Sequence, residues 1–307
     1  MSFRLFIYYC AIGGGCAAYV GWALGRLPSI GDDQVILREA VRGLFLGMIV
    51  ALTLALIDAL WNGSTQVGTI FQRVGVAVVV GCLGGFLGGF IGQVFYGWTE
   101  AVVFLLFGWI ITGLLIGAAP GLFDFLGSLM RDEDTRGPRR KVLRGVIGGA
   151  VGGLLGAVLY LVINSALLAV FKGKEGNFWS PSAWGMVALG MCIGLLIALA
   201  QVILSEAWLR VDQGFRAGRE LILSKAEVTI GRAESCDLGL FGDPTVEKLH
   251  ARILQKGDRY LIDDNRTQAG TFLNGERVDG PTPLRSGDEI RVGRCVLRFG
   301  ERQKRPA

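Results

Sequence analysis

Histidine is almost absent from this sequence, since His250 is the only one among 307 residues. A single histidine excludes metal sites built from several histidines and disfavours a catalytic triad with a histidine base. The six cysteines include no C-x-x-C pair, and four of them fall in apolar runs, which does not indicate a disulfide framework or a zinc site. We find no P-loop and no nucleophile–base pair either. We therefore predict no metal, no cofactor and no enzymatic activity.

Charge is also scarce, because only 19% of the residues are charged and the formal net charge is +5. The sequence has no basic and aromatic groove pattern, so nucleic-acid binding is not expected.

Apolar residues make up 51% of the chain, glycine contributes 47 residues, and the mean hydropathy is +0.48. The long apolar runs lie between residues 3 and 209, whereas the following hundred residues are charged and rich in turns. We predict an α-helical membrane domain at 1–209, an all-β domain at 210–300 and a basic tail at 301–307.

The membrane domain is predicted to contain six transmembrane helices. They lie near residues 3–25, 43–61, 74–96, 101–125, 145–170 and 183–209. The loop between the fourth and fifth spans, 131–144, is basic, and the Lys/Arg bias favours cytoplasmic N- and C-termini. Arg26, Arg38 and Arg42 then fall on the opposite face. The expected location is a membrane, and the architecture suggests a bacterial inner membrane.

Glycines recur at matched positions in the spans. The segment LGGFLGGFIGQVFY at 83–96 matches IGGAVGGLLGAVLY at 147–160, and the spans group into three successive glycine-rich hairpins. A spacing of four residues places the glycines on one face of each helix, where two backbones can approach closely. Tight helix packing is the main interpretation, with a glycine-lined path or an oligomer interface as alternatives. The matched glycines of this face are Gly84, Gly88, Gly92, Gly148, Gly152 and Gly156.

Three polar residues, Asp58, Asp124 and Gln201, occur within the second, fourth and sixth spans. Each follows a matched glycine of its span by eleven residues. These glycines are Gly47, Gly113 and Gly190. A carboxylate within a membrane span is costly and often functional. Both aspartates fall near the predicted cytoplasmic helix ends, so we interpret them as interfacial residues or partners of nearby arginines, with ion or proton coupling as the alternative.

From about Gly218 the apolar residues alternate along short segments separated by Gly, Asp, Asn and Pro, which predicts an antiparallel β-sandwich. Four motifs occur in order: IGR at 230–232, HARI at 250–253, GTFLNG at 270–275 and LRSGDEI at 284–290. In this order and spacing they resemble the forkhead-associated (FHA) domain, over about residues 212–300. The resemblance implies a sandwich that binds phosphothreonine peptides through loops at one end. Residues 1–209 resemble no family that we recognise.

The resemblance also implies roles for individual residues. Arg232 is expected to contact the phosphopeptide, Lys248 retains a cation, and Thr267 stands where a phosphate-contacting Ser or Thr often lies. The histidine is expected to brace the binding loops, and Asn-Gly predicts a hairpin turn. Structural roles are implied for Gly231, His250, Gly270, Asn274 and Gly275.

Two residues depart from the family pattern. Glu247 replaces the serine that would donate to phosphate, and an ionised carboxylate has no donor. It also repels phosphate, by about 1 kcal/mol at ~4 Å in bulk water. Ala269 replaces an asparagine that would contact the peptide backbone. Phosphothreonine binding, phosphate-independent protein binding or self-association, and a purely structural role therefore remain open.

These features together predict a membrane-anchored scaffold or signalling adaptor that presents a cytoplasmic FHA-like domain. The expected partners are a cytoplasmic protein, phosphorylated or not, and the lipid bilayer, with no nucleic acid; a homo-oligomer is left open. A channel or transporter regulated by the FHA-like domain is the alternative.

Overall fold

The computed structural model describes residues 3–31, 33–61, 67–130, 135–171, 180–214, 217–223, 227–256 and 259–302. The chain divides into two compact units, of which one holds most of the helical residues and the other holds all the strands.

Six long helices precede the strands in the described residues. Each is long and apolar enough to cross a membrane, which confirms the prediction of six long apolar helices. Their bounds are α1 Phe3–Leu24, α2 Val35–Trp61, α3 Val67–Thr99, α4 Val103–Met130, α5 Arg136–Phe171 and α6 Pro181–Ile203.

Four predicted helix boundaries are wrong by six residues or more, and one of them is the start of the third helix, which lies at Val67 rather than at 74. The second helix begins at Val35 rather than at 43, because hydropathy excluded a charged first part that is nevertheless helical. The fifth begins at Arg136, so most of the predicted basic loop at 131–144 is helix. The sixth ends at Ile203 rather than at 209, because the apolar residues that follow belong to a strand.

The glycines predicted to pack helices face neighbouring helices. A Cβ on Gly88 of α3 would lie 2.5 Å from the carbonyl oxygen of Gly108 on α4, and one on Gly152 of α5 would lie 2.8 Å from the Cα of Ile193 on α6. Such separations are too short for real side chains, so these helices depend on bare backbone at their contacts. The same two interfaces include all six predicted positions, Gly84, Gly88, Gly92, Gly148, Gly152 and Gly156.

A second set of glycines brings backbones even closer. In each of three pairs, a Cβ on either glycine would overlap the carbonyl of its partner, and the pairs join α2 to α3, α4 to α5 and α1 to α6. The pairs are Gly43 with Gly85, Gly113 with Gly149, and Gly14 with Gly190. The contact register thus places Gly43, rather than Gly47, in the position equivalent to Gly113. The predicted match of Gly47 was displaced by one helical turn.

The strands form two sheets that enclose one apolar core. One sheet has the order β2-β1-β11-β10-β7-β8 and the other β4-β3-β5-β6-β9, and all neighbours are antiparallel except β3 and β4. The strands are β1 Ala207–Gln213, β2 Glu220–Ile222, β3 Glu227–Gly231, β4 Leu238–Gly239, β5 Ala251–Lys256, β6 Arg259–Asp264, β7 Thr271–Leu273, β8 Glu276–Arg277, β9 Thr282–Pro283, β10 Glu289–Val292 and β11 Cys295–Glu301.

The core is built by the alternation that the sequence shows. Ile230, Ile262, Leu297 and Phe299 are fully buried, and each lies on the inward face of its strand. Strand β1 pairs with β11 along its whole length, so the sandwich begins at Ala207, before the predicted boundary at 210.

Candidate functional site

The sequence-predicted site residues converge at one end of the five-stranded sheet. Ala251 at the start of β5 pairs with Ile230 near the end of β3 and with Asp264 at the end of β6. The loop after β3, the loop before β5 and the loop after β6 therefore meet at this end, which we call the loop end of the sandwich.

Arg232 and Lys248 bring two exposed cations to the loop end. The backbone amide of Arg232 donates to the carbonyl of Glu247 at 2.8 Å, and the amide of Ala233 donates to the carbonyl of Lys248 at 2.9 Å. The two loops are thus held together by their backbones, and a Cβ at Gly231 would overlap the Lys248 carbonyl. This arrangement leaves both charged side chains available to a ligand.

His250 is fully buried beneath these loops. Its Nδ1 accepts a hydrogen bond from the amide of Glu247 at 3.1 Å, which assigns the ring proton to Nε2. Nε2 lies 3.1 Å from the Oγ1 of Thr267 and 3.3 Å from the carbonyl of Gly270. The imidazole therefore links the loop before β5 to the loop after β6, and it is not exposed to a ligand.

Thr267 is buried, with 2% of its surface exposed. Its hydroxyl donates to Oδ1 of Asp264 at 3.0 Å and accepts from the amide of Gly270 at 3.1 Å. The expected contact between Thr267 and phosphate is therefore at odds with the structure, because the hydroxyl is enclosed and already bonded. Asp264 also accepts from the hydroxyl of Thr271 at 2.6 Å. Its carboxylate therefore holds both ends of the loop after β6 through hydrogen bonds to Thr267 and Thr271.

Glu247 is exposed at the loop end and spans two loops. Its Oε1 accepts a hydrogen bond from the backbone amide of Gln268 at 3.0 Å. Gln268 precedes Ala269, which is also exposed. The carboxylate thus accepts from an amide of the loop after β6, and it adds a negative charge to the loop end that also carries Arg232 and Lys248.

Asn274 and Gly275 form the predicted hairpin turn between β7 and β8. Their φ angles are +51° and +91°, and Leu273 pairs with Glu276 across the turn. The Asn274 side chain donates to Asp288 at 2.9 Å and so ties the turn to the segment before β10.

Asp243 is a structural residue that the sequence analysis missed. Its Oδ1 accepts from the amide and hydroxyl of Thr245, at 3.0 and 2.6 Å, and its Oδ2 accepts from the amide of Arg294 at 2.7 Å. Burial on its own would raise the pKa of Asp243, but these hydrogen bonds outweigh it, and the pKa is lowered. The Asp-Pro-Thr sequence at 243–245 was the available signal, because aspartate commonly bonds the backbone two residues onward.

The predicted aspartates of the helical unit belong to a buried group of four charges. Lys141 on α5 donates to Asp58 on α2 at 2.9 Å and to Asp124 on α4 at 3.2 Å. Arg73 on α3 donates to Asp124 at 2.6 Å. All four side chains are nearly enclosed, and we call this set the ion cluster. Its two cations balance its two anions, as buried charges require.

Sequence analysis proposed arginine partners for the aspartates but missed Lys141, which it assigned to the basic loop. The third polar residue of the predicted set, Gln201, is also buried, with 7% of its surface exposed. Among the described residues, no group of three His, Cys, Asp or Glu side chains could hold a metal ion.

Residues 228–293 match the family model described as FHA domain. The FHA domain-containing protein FhaB of Mycobacterium tuberculosis is 25% identical over 130 residues, which cover 42% of this chain and 83% of FhaB. The glycogen accumulation regulator GarA of the same organism is 33% identical over 94 residues, which cover 31% of this chain and 57% of GarA.

A crystal structure of the FhaA FHA domain complexed with the intracellular domain of Rv3910 is 28% identical. The match covers 30% of this chain and 98% of that one, with a TM-score of 0.28.

Proposed function

Because residues 228–293 are an FHA domain, we propose that this protein is a membrane-anchored adaptor that recruits another protein through the loop end of its sandwich. The observation that carries the proposal is the pair of exposed cations, Arg232 and Lys248, on loops whose backbones are hydrogen-bonded to each other. Exposed cations on a rigid scaffold suit the recognition of an acidic or phosphorylated segment.

The relatives support a binding role. GarA is named as a glycogen accumulation regulator, and a further relative from Corynebacterium jeikeium, 34% identical over 94 residues, is named as an oxoglutarate dehydrogenase inhibitor. Both names describe regulatory proteins. By likeness, the FHA domain of this chain contributes binding rather than catalysis.

The helical unit serves as the anchor in this proposal. Its six helices have the length of membrane spans, and large apolar side chains such as Val79, Leu83 and Val162 are more than half exposed. Lipid would cover these surfaces, while the glycine contacts would hold the helices together. The proposal includes three glycine-rich hairpins in the membrane and cytoplasmic N- and C-termini.

Glu247 is proposed to make recognition only weakly dependent on phosphate. Its carboxylate competes for the Gln268 amide and adds a negative charge beside the cations. A ligand phosphate would have to displace this contact and approach the carboxylate. A carboxylate-bearing or neutral segment meets a smaller electrostatic penalty.

The test is recovery of bound proteins by the full chain, purified in detergent from its own host. Wild type and Arg232→Ala are compared, each with and without phosphatase treatment of the lysate. Arg259→Ala is the matched control, because Arg259 is exposed at the opposite end of the same sheet. We expect Arg232→Ala to lose the bound protein and Arg259→Ala to retain it. Phosphatase treatment should reduce the recovery of the bound protein by wild type only slightly.

Equal recovery by Arg232→Ala and Arg259→Ala would refute binding at the loop end. Complete loss of the wild-type signal after phosphatase treatment would refute the proposed role of Glu247 and would restore ordinary phosphothreonine recognition.

A further inference from the structure

A cavity of about 390 Å³ lies within the helical unit, at the end where α1, α3 and α5 finish and α2, α4 and α6 begin. Every one of the six helices, or the segment directly after it, contributes to the walls. The volume falls within the range of small-molecule sites. It is equivalent to roughly a dozen water molecules at about 30 Å³ each.

The walls of this cavity combine aromatic rings with glycine backbone. Trp109 and Tyr160 lie side by side, with ring centroids 6.2 Å apart, and Trp22 stands on another wall. Gly88 and Gly92 contribute backbone to the wall formed by α3, at the place where that helix packs against α4. An apolar group of a ligand would find rings to pack against in this part of the cavity.

The charges of the cavity favour an anion. Its lining includes two arginines, Arg26 and Arg42, and one carboxylate, Glu39. The guanidinium of Arg26 lies over the Trp22 ring, 4.9 Å from its centroid. Sequence analysis placed these arginines on the face where the positive-inside rule does not call for them, so topology does not account for them.

Arg42 retains most of its hydrogen-bonding capacity. Within the described residues its guanidinium makes one hydrogen bond, from Nη1 to Oε1 of Glu39 at 2.6 Å, although a guanidinium carries five donors. The Nε of Arg42 is buried and has no hydrogen-bond partner among the residues that the structure describes. An incoming oxyanion could accept from the remaining terminal nitrogen, in the geometry that arginine offers to carboxylate or phosphate.

We infer that this cavity binds an organic anion, a phosphate monoester or carboxylate with an apolar part. The anionic group contacts Arg42 and Arg26, and the apolar part packs against Trp109 and Tyr160. The inference concerns the helical unit alone and does not depend on the proposed function of the FHA domain.

The first test is calorimetric titration of the full chain in a neutral detergent with hexyl phosphate. Arg42→Gln should weaken binding about tenfold or more, because it removes a charged donor. Arg139→Gln is the matched control, since Arg139 is an exposed arginine near the start of α5, at the opposite end of the helices. It should keep the wild-type affinity. Equal loss in both variants, or no binding by wild type, would overturn the inference.

A second variant changes affinity in the other direction. Glu39→Gln removes the one carboxylate that lines the cavity among the described residues, and it should strengthen hexyl phosphate binding several-fold. This outcome cannot arise from misfolding. Weaker or unchanged binding by Glu39→Gln would count against the inference. Inorganic phosphate should bind more weakly than hexyl phosphate, and equal affinities would remove the role of the aromatic walls.

The source of the anion is identified by repeating the titration in nanodiscs. If phosphatidylglycerol nanodiscs reduce the apparent affinity for hexyl phosphate relative to phosphatidylcholine nanodiscs, the cavity takes a lipid headgroup. If the two nanodiscs give the same affinity, it takes a water-soluble anion. Either result supports an anion site, whereas hexyltrimethylammonium binding as tightly as hexyl phosphate would contradict it.

Discussion

The carboxylate of Glu247 accepts a hydrogen bond from the backbone amide of Gln268 at 3.0 Å. This contact connects the loop before β5 to the loop after β6 at the surface, above the buried connection that His250 makes between the same loops. A residue that looked from the sequence like a simple loss of function therefore has a structural role as well. Substitutions at Glu247 can distinguish the effect of its negative charge from the effect of its hydrogen bond to Gln268.

Replacing Glu247 with serine, together with Ala269→Asn, should increase the affinity for phosphothreonine peptides about tenfold. The change removes a repulsion of about 1 kcal/mol and supplies a hydroxyl donor for the phosphate. A phosphothreonine peptide array, followed by anisotropy titration of the best peptides, measures the change. Glu247→Gln retains an acceptor for Gln268 without the charge and should give an intermediate affinity. Tight binding by wild type would show that the carboxylate does not hinder phosphate.

Thr267→Val should destabilise the sandwich by about 1–3 kcal/mol, because it leaves the buried Gly270 amide without its acceptor and removes one of the two groups that face Nε2 of His250. Urea unfolding of the β domain within the full chain measures the loss. Thr282→Val is the control, since the Thr282 hydroxyl donates to the nearby carbonyl of Gly280, two residues away in the chain. A similar loss in the two variants would argue against a special role for Thr267.

The stability of the sandwich should fall in acid through Asp243. Its pKa lies below the ordinary value of 3.8, because hydrogen bonds from Thr245 and Arg294 favour the carboxylate over the acid in spite of burial. A group with a lowered folded pKa stabilises the protein above its unfolded pKa, and that contribution is lost as the pH falls through the folded pKa.

Unfolding measured from about pH 7 to about pH 2.5 tests this linkage. Asp243→Asn should be less stable than wild type at neutral pH, and the difference should shrink below pH ~4. A gap between the two proteins that stays constant across this range would show that Asp243 does not contribute by ionisation.

Lys141→Gln should lower the melting temperature of the protein in detergent, because it removes the ammonium group that Asp58 and Asp124 share. Removing one partner from a buried ion pair costs about 3 kcal/mol or more. Adding Asp58→Asn restores charge balance in the ion cluster and should recover part of the loss. Arg139→Gln again serves as control. Independent, additive losses in the double variant would mean that the charges are not coupled.

Gly149→Ala should destabilise the helical unit, since the new Cβ would overlap the carbonyl of Gly113 on α4. Gly75→Ala is matched to it, because Gly75 also lies within a helix but has nothing within 4 Å of the same position. Alanine favours helix by about 1 kcal/mol at either site. Thermal unfolding in detergent should therefore show opposite changes for the two variants.

The sequence was sufficient where the signal is local. Spacing of four predicted which glycines share a face, alternation predicted the sandwich, and Asn274-Gly275 predicted the hairpin. Contacts between residues that are far apart in the sequence could not be predicted from the sequence. Lys141 lies 83 residues from Asp58, and a basic residue in a basic stretch gives no sign that its side chain turns inward.

Two further predictions were wrong because a local sequence feature does not show how the surrounding chain folds. Thr267 carries the residue type of a ligand contact, but only the folded loop shows that its hydroxyl is enclosed by Asp264 and His250. The first three residues of β1, 207–209, were counted in the last apolar run, because hydropathy measures composition and does not register the change from a helical to an extended backbone.

The pairing of β1 with β11 also sets the order in which the chain can mature during synthesis. Strand β1 leaves the ribosome first among the strands, directly after α6, whereas its partner is made only after every other strand. Until residues 295–301 emerge, β1 waits with an open edge, which is the state most exposed to mispairing. A message that ends before that point would leave the six helices complete, while the β-sandwich would lack its last strand and be prone to aggregation.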